Sequence, residues 1–168
     1  IGVHGIRMYY GIASENQMDL YSVRLDGLDT MALGSIVLTD ADMGMISIGD
    51  VLMRNDGIYL TCGFYGGTGY FFYGGGLYRI GYDGGIETLL DPAGSQQVNF
   101  PKIYIQDADG VSTLYYYCGD GYSNAGSWDS WVSEDVYGMN LETYTAEPKS
   151  FVLSHIGDII CMEGSVWT

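Results

Sequence analysis

Gly57-Ile58-Tyr59-Leu60, Leu77-Tyr78-Arg79-Ile80-Gly81-Tyr82-Asp83-Gly84 and Ile86-Glu87-Thr88-Leu89-Leu90 decide the reading of this chain. Each is a short apolar or alternating run rich in β-branched and aromatic residues, bounded by Gly, Asp or Asn. That pattern suits strands joined by tight turns, because Gly accepts the positive φ that such turns require. With Asp50–Arg54 ahead of it, the segment reads as four antiparallel strands: Asp50–Arg54, Gly57–Phe64, Gly76–Tyr82 and Ile86–Leu90.

The same pattern recurs on both sides. Met8-Tyr9-Tyr10 leads to Leu20-Tyr21-Ser22-Val23-Arg24-Leu25-Asp26-Gly27, and Leu114-Tyr115-Tyr116 leads to Val136-Tyr137-Gly138-Met139-Asn140-Leu141. Leu20 and Leu77 lie 57 residues apart, Leu77 and Val136 lie 59 apart, and Cys62 and Cys118 lie 56 apart, each before a Gly. An opening element recurs as Gly49-Asp50-Val51-Leu52-Met53, Lys102-Ile103-Tyr104-Ile105 and Gly157-Asp158-Ile159-Ile160-Cys161. Asn55-Asp56-Gly57, Asp107-Ala108-Asp109-Gly110, Asp26-Gly27 and Asp83-Gly84 mark the hairpin joints.

Four strands per unit at this period is the signature of a propeller blade. The expectation is therefore an all-β chain, a partial β-propeller of two to three four-stranded antiparallel blades. A single segment spans 1–168: a partial blade lacking its first strand at 6–33, whole blades at 48–91 and 100–154, and the start of another at 156–168. Closure needs four or more blades, so the reading expects further blades of a longer chain, or an oligomer partner. Ile1 fits a chain that begins inside a larger protein.

These residues resemble the repeats of the TolB-like and YWTD-like bacterial propellers, Tyr-rich members included. Ile58-Tyr59, Leu77-Tyr78-Arg79-Ile80, Asp83-Gly84 and Leu89-Leu90 carry the closest match. The chain departs from the YWTD pattern in lacking Trp-Thr-Asp after the Tyr, and its third unit has Glu142-Thr143 in place of Asp-Gly. The resemblance implies a binding or scaffolding module.

Composition narrows the partners. Six basic residues against 21 acidic ones give a formal charge of −15. That disfavours nucleic acid, whose binding needs Lys and Arg to displace counterions, and disfavours anionic lipid surfaces. No run of 18 apolar residues is present, so no membrane insertion is expected. An extracytoplasmic or cell-surface setting is the expectation, although no signal peptide is visible.

Loops between second and third strands are expected to carry the site. They are Tyr65–Gly75, rich in Tyr, Phe and Gly, and Asp120–Trp131, which holds Tyr, Trp, Ser, Gly and Asn. Such loops combine rigid aromatic area with adaptable hydrogen bonds. Tyr65, Tyr70, Asp120, Tyr122, Trp128, Asp129 and Trp131 are the candidate binding residues, for a glycan or a peptide. The alternative reading has the aromatics packed inward between blades.

No catalytic residue, cofactor or metal site is assigned. The Gly66–Gly69 and Gly74–Gly76 stretches lack the Lys-Ser/Thr of a phosphate loop, and no Gly-x-Ser-x-Gly is present. Asp107-Ala108-Asp109-Gly110 lacks the later ligands of a calcium loop. His4 and His155 have no evident partner, and Cys62, Cys118 and Cys161 lie in apolar runs that suit inert thiols. Two alternatives stay open. One is a carbohydrate-active hydrolase using Asp50 and Asp158 near the propeller mouth; the other is a purely structural segment.

Overall fold

The computed structural model describes residues 1–39, 45–66, 71–93, 97–119, 136–149, 160–162 and 165–167. Among these the chain is all β. The first sheet holds β1 (Gly2–His4), β2 (Arg7–Ser14), β3 (Gln17–Arg24) and β4 (Thr30–Val37) in sequence order. The second holds β5 (Met45–Arg54), β6 (Gly57–Gly66), β7 (Phe71–Ile80) and β8 (Ile86–Leu90). The third holds β9 (Gln97–Ala108), β10 (Val111–Gly119), β11 (Val136–Asn140) and β12 (Ala146–Pro148). Among the described residues every pairing is antiparallel, and one bridge, Gly75 to Val98, joins the second sheet to the third. A hairpin of β13 (Ile160–Met162) and β14 (Ser165–Trp167) follows.

Local chemistry places the turns. Asp109 (φ 51°) and Gly110 (φ 79°) form the two-residue turn between β9 and β10, both in the left-handed region that Asp and Gly tolerate. The Asp107–Gly110 stretch is thus a hairpin turn. Sequence alone starts the first unit at residue 6 without an opening strand. The structure adds β1, paired with β2 through Gly2–Tyr9, Val3–Met8 and His4–Arg7. A three-residue strand is too short to show alternation, which is why it escapes a pattern search.

Residues 65–66 and 71–75 also differ from their reading as a loop. Tyr65 pairs with Phe72 and Phe64 with Tyr73, so β6 and β7 run on through the aromatics. Aromatic side chains favour the pleated ladder, and Gly75 is needed where two backbones meet: a Cβ there would lie 2.8 Å from the Val98 carbonyl oxygen and 2.5 Å from the Phe72 ring.

The ladders share one register. Leu20, Leu77 and Val136 each pair with the residue three past Met8, Ile58 and Leu114, namely Gly11, Thr61 and Tyr117. The first strands of the second and third sheets also bulge at matching places, before Val51 and before Ile103.

Two cores lie between the sheets. Tyr9, Met18, Leu20 and Ile36 of the first sheet pack with Ile58, Leu60, Phe64 and Ile80 of the second. Tyr59, Phe72 and Leu77, on the opposite face of the second sheet, pack with Val98, Ile103, Leu114 and Tyr116 of the third. Strand alternation sends Ile58 and Leu60 one way and Tyr59 the other. The second sheet is therefore buried on both faces, and each buried Leu or Ile contributes about 1.5–3 kcal/mol.

Candidate functional site

A cleft of about 500 Å³ opens at the turn edge of the second sheet, lined by Asp56, Arg79, Tyr82, Asp83 and Glu87 with the backbone of Gly81, Gly84 and Gly85. Its walls are two turns, Asn55-Asp56 between β5 and β6 and Tyr82–Gly85 between β7 and β8. Gly84 (φ 107°) and Gly85 (φ 88°) make the second turn. The Gly85 N–H donates to the Leu33 carbonyl at 3.1 Å and ties that turn to the first sheet.

Arg79 organises the polar groups. Its guanidinium donates to the Asp56 carbonyl and, at 3.4 Å, to Glu87 Oε2. The Tyr59 hydroxyl donates to Asp56 Oδ2 at 2.6 Å, and Tyr144 of the third sheet donates to Glu87 Oε2 at 3.2 Å. Burial, and then the neighbouring carboxylate, push both phenols above their usual range. At neutral pH they remain neutral donors. The Tyr82 ring is clamped between sheets: it stacks on His4 with centroids 3.9 Å apart, and its hydroxyl donates to the Arg54 carbonyl. Beside the cleft, Arg54 grips Asp107 through two bonds of 3.0 and 2.9 Å. That pairing, with the Ser112 hydroxyl, holds the Asp107 carboxyl below the usual carboxylate range. The arrangement holds groups in place, and its carboxylate lining suits donors such as hydroxyls or amines.

Sequence reasoning looked to the other edge. There Tyr65 lies near the end of β6, half-buried, its ring edge-on to Phe72 with centroids 5.2 Å apart. Burial, with the charge of Asp50, raises its hydroxyl's pKa. Tyr65 thus lies against the core between the second and third sheets. Tyr70, Asp120, Tyr122, Trp128, Asp129 and Trp131 lie outside the described residues, as do Asp158 and His155.

Asp50 is built into the sheet junction. It sits on the β5 bulge, where its N–H donates to Thr61 Oγ1 at 2.9 Å. Its carboxylate accepts the Val51 N–H at 3.0 Å and, across the sheets, the Ile103 N–H at 3.2 Å. Lys102 Nζ stands 3.9 Å away. Cys62 and Cys118 are buried on β6 and β10, in different sheets.

The cleft was not found from sequence. Its signal is Arg79, opposite Glu87 in the ladder, just before a Gly-Tyr-Asp-Gly-Gly turn. Among the described residues no cluster of three or more His, Cys, Asp or Glu could hold a metal ion, and no helix is long and apolar enough to cross a membrane. No protein-family model, curated protein or solved structure matches the chain.

Proposed function

We propose that the three sheets are blades of a β-propeller and that the chain works as a non-catalytic binding or scaffold module in an extracytoplasmic or surface setting. The observation that carries this reading is the repeated face-to-face packing. The Ile58 face of the second sheet lies on the first, and the Leu114 face of the third lies on the second, in one ladder register. The first strands β5 and β9 lie against each other, as strands nearest a propeller axis would. The resemblance to TolB-like and YWTD-like repeats points the same way.

The ligand in this reading is a glycan or a peptide held on the rim by Tyr65, Tyr70, Asp120, Tyr122, Trp128, Asp129 and Trp131. Aromatic faces stack on sugar rings or peptide side chains while Asp and Asn grip hydroxyls and amides. The hydrogen bond that the Asp50 carboxylate accepts from the Ile103 N–H supports a bracing role for that carboxylate rather than the hydrolase reading.

A thermal-shift screen against glycans and peptides tests it. A ligand that binds only the folded chain, at 100 times its Kd, should stabilise by about 2.7 kcal/mol, a rise in Tm of about 5–10 °C. The shift should vanish in Trp128→Ala and Trp131→Ala while the Tm without ligand stays. A glycan turned over by the wild type and spared by Asp50→Asn would favour the hydrolase. A cooperatively melting chain that shifts with nothing would favour the structural segment.

A further inference from the structure

We infer that the cleft at the turn edge of the second sheet binds a neutral saccharide, whose adjacent hydroxyls sit between the Arg79 guanidinium and the carboxylates of Asp83 and Glu87. The inference stands apart from the rim reading, because its groups come from the opposite edge of the sheets.

The cleft measures about 500 Å³, within the roughly 300–1,000 Å³ of small-molecule sites. Its polar groups are in place before any ligand arrives. Arg79 lies opposite Glu87 in the β7–β8 ladder and donates both to that carboxylate and to the Asp56 carbonyl. Glu87 also accepts the Tyr144 hydroxyl from the third sheet, and both bonds end on Oε2. Oε1 keeps its acceptor capacity. The Asp83 carboxylate lines the cleft and joins no ion pair or hydrogen bond among the described residues. A fixed guanidinium beside open carboxylate oxygens lowers the cost of ordering on binding.

Chemistry sets the ligand class. Among the described residues these carboxylates form no group able to hold a metal ion. An anion would meet Asp56, Asp83 and Glu87 together. An ammonium group only donates, and it would lie beside the Arg79 cation, whose N–H groups it cannot accept. A hydroxyl does both: it donates to a carboxylate and accepts from a guanidinium. Two neighbouring hydroxyls on one ring answer both kinds of group at once.

Tyr144 is a second and independent mark. Its φ is +54°, a left-handed conformation that a bulky side chain rarely adopts. The turn holds it there. The Tyr144 N–H donates to the Asn140 carbonyl at 2.8 Å, and Asn140 Oδ1 accepts the Glu142 N–H at 2.8 Å and the Thr143 N–H at 3.2 Å. The result is a side chain 42% exposed and tethered by its hydroxyl to a cleft carboxylate. Strained backbone of this kind concentrates at ligand sites. The ring offers apolar area to the C–H face of a sugar while the charged groups take its hydroxyls.

Titration calorimetry and saturation-transfer NMR on the 168-residue chain test this, with neutral methyl glycosides and their disaccharides as probes and ethylenediamine and inorganic phosphate as charged controls. The expected result is a glycoside or disaccharide that binds with a Kd of about 1 mM, ahead of both controls. Asp83→Ala and Tyr144→Ala should each weaken it by at least about tenfold, and Tyr144→Phe, which keeps the ring, should lose less. Asp83 is exposed, so Asp83→Ala should keep the wild-type Tm. Trp128→Ala should leave the affinity unchanged. No glycoside binding by a cooperatively melting chain overturns the inference. So does tighter binding of ethylenediamine. Glycoside binding lost in Trp128→Ala and kept in Asp83→Ala would overturn it while upholding the rim site; the reverse pattern would uphold the cleft alone.

Discussion

The Asp50 carboxylate accepts the backbone N–H of Ile103 at 3.2 Å, joining the bulge of β5 to the bulge of β9 and so the second sheet to the third. Ile103 is buried, so an N–H stripped of this acceptor has no ready access to water. Asp50→Ala should destabilise by about 1–3 kcal/mol, the cost of leaving one buried donor unsatisfied. Asp50→Asn keeps an acceptor oxygen and should cost less. The Lys102 contact at 3.9 Å is partly exposed and should add little. Urea unfolding of the three proteins checks the order. Equal losses in Ala and Asn variants would mean that charge, not the hydrogen bond, holds the junction.

The thiol of Cys62 is pushed up to about 12 by burial. In the unfolded chain it titrates near 9, so the folded state resists losing this proton. Its contribution to stability is therefore fully present below pH 9 and is lost as pH rises from there toward 12. In a Cys161→Ser background the native chain should react slowly with a thiol reagent at pH 8, and both remaining thiols should appear on unfolding. Replacing Cys62 with Ala should flatten the alkaline fall in stability. Rapid native-state labelling of Cys62 would show that the face between first and second sheets opens.

Four-stranded units and their turns were legible because their cause is local. Asp109-Gly110 and Gly84-Gly85 carry the φ their turns need, and alternation at Met18, Leu20 and Ser22 marks a face. What escaped the sequence depends on contacts distant along the chain. Phe71 to Gly75 reads as part of a Gly-rich loop until Val98 is known to cross at Gly75. The cleft gathers Asp56, Arg79 and Glu87 with Tyr144, which approaches from another sheet. Nothing in a 57-residue separation announces that hydrogen bond.

Gly75 and Gly85 separate two reasons for glycine. A Cβ at Gly75 meets the Phe72 ring and the Val98 carbonyl, both held in the core. Gly75→Ala should cost about 1–3 kcal/mol through overpacking and should speed amide exchange at Val98. Gly85 has φ +88° and open space around its Cβ. Gly85→Ala should cost roughly 1–2 kcal/mol through backbone strain alone, leaving exchange at Val98 unchanged. Equal effects on Val98 would mean that the two turns and the bridge unfold as one unit.

Tyr116 and Tyr59 sit in the same core with opposite polar accounts. The Tyr59 hydroxyl donates to Asp56 at 2.6 Å, whereas the buried Tyr116 hydroxyl has no hydrogen-bond partner among the described residues. The Tyr116 ring stacks on Tyr137 with centroids 5.9 Å apart, a contact that phenylalanine would keep. Removing an unsatisfied buried hydroxyl while keeping the ring relieves a desolvation cost, so Tyr116→Phe should be neutral or stabilising by about 1 kcal/mol. Tyr59→Phe deletes a bond to a charged acceptor and should cost about 1.5–3 kcal/mol. Chemical denaturation of both variants reads the difference directly. A destabilising Tyr116→Phe would mean that this hydroxyl has an acceptor in solution, and a water bridging it to Tyr137 would be the first to look for.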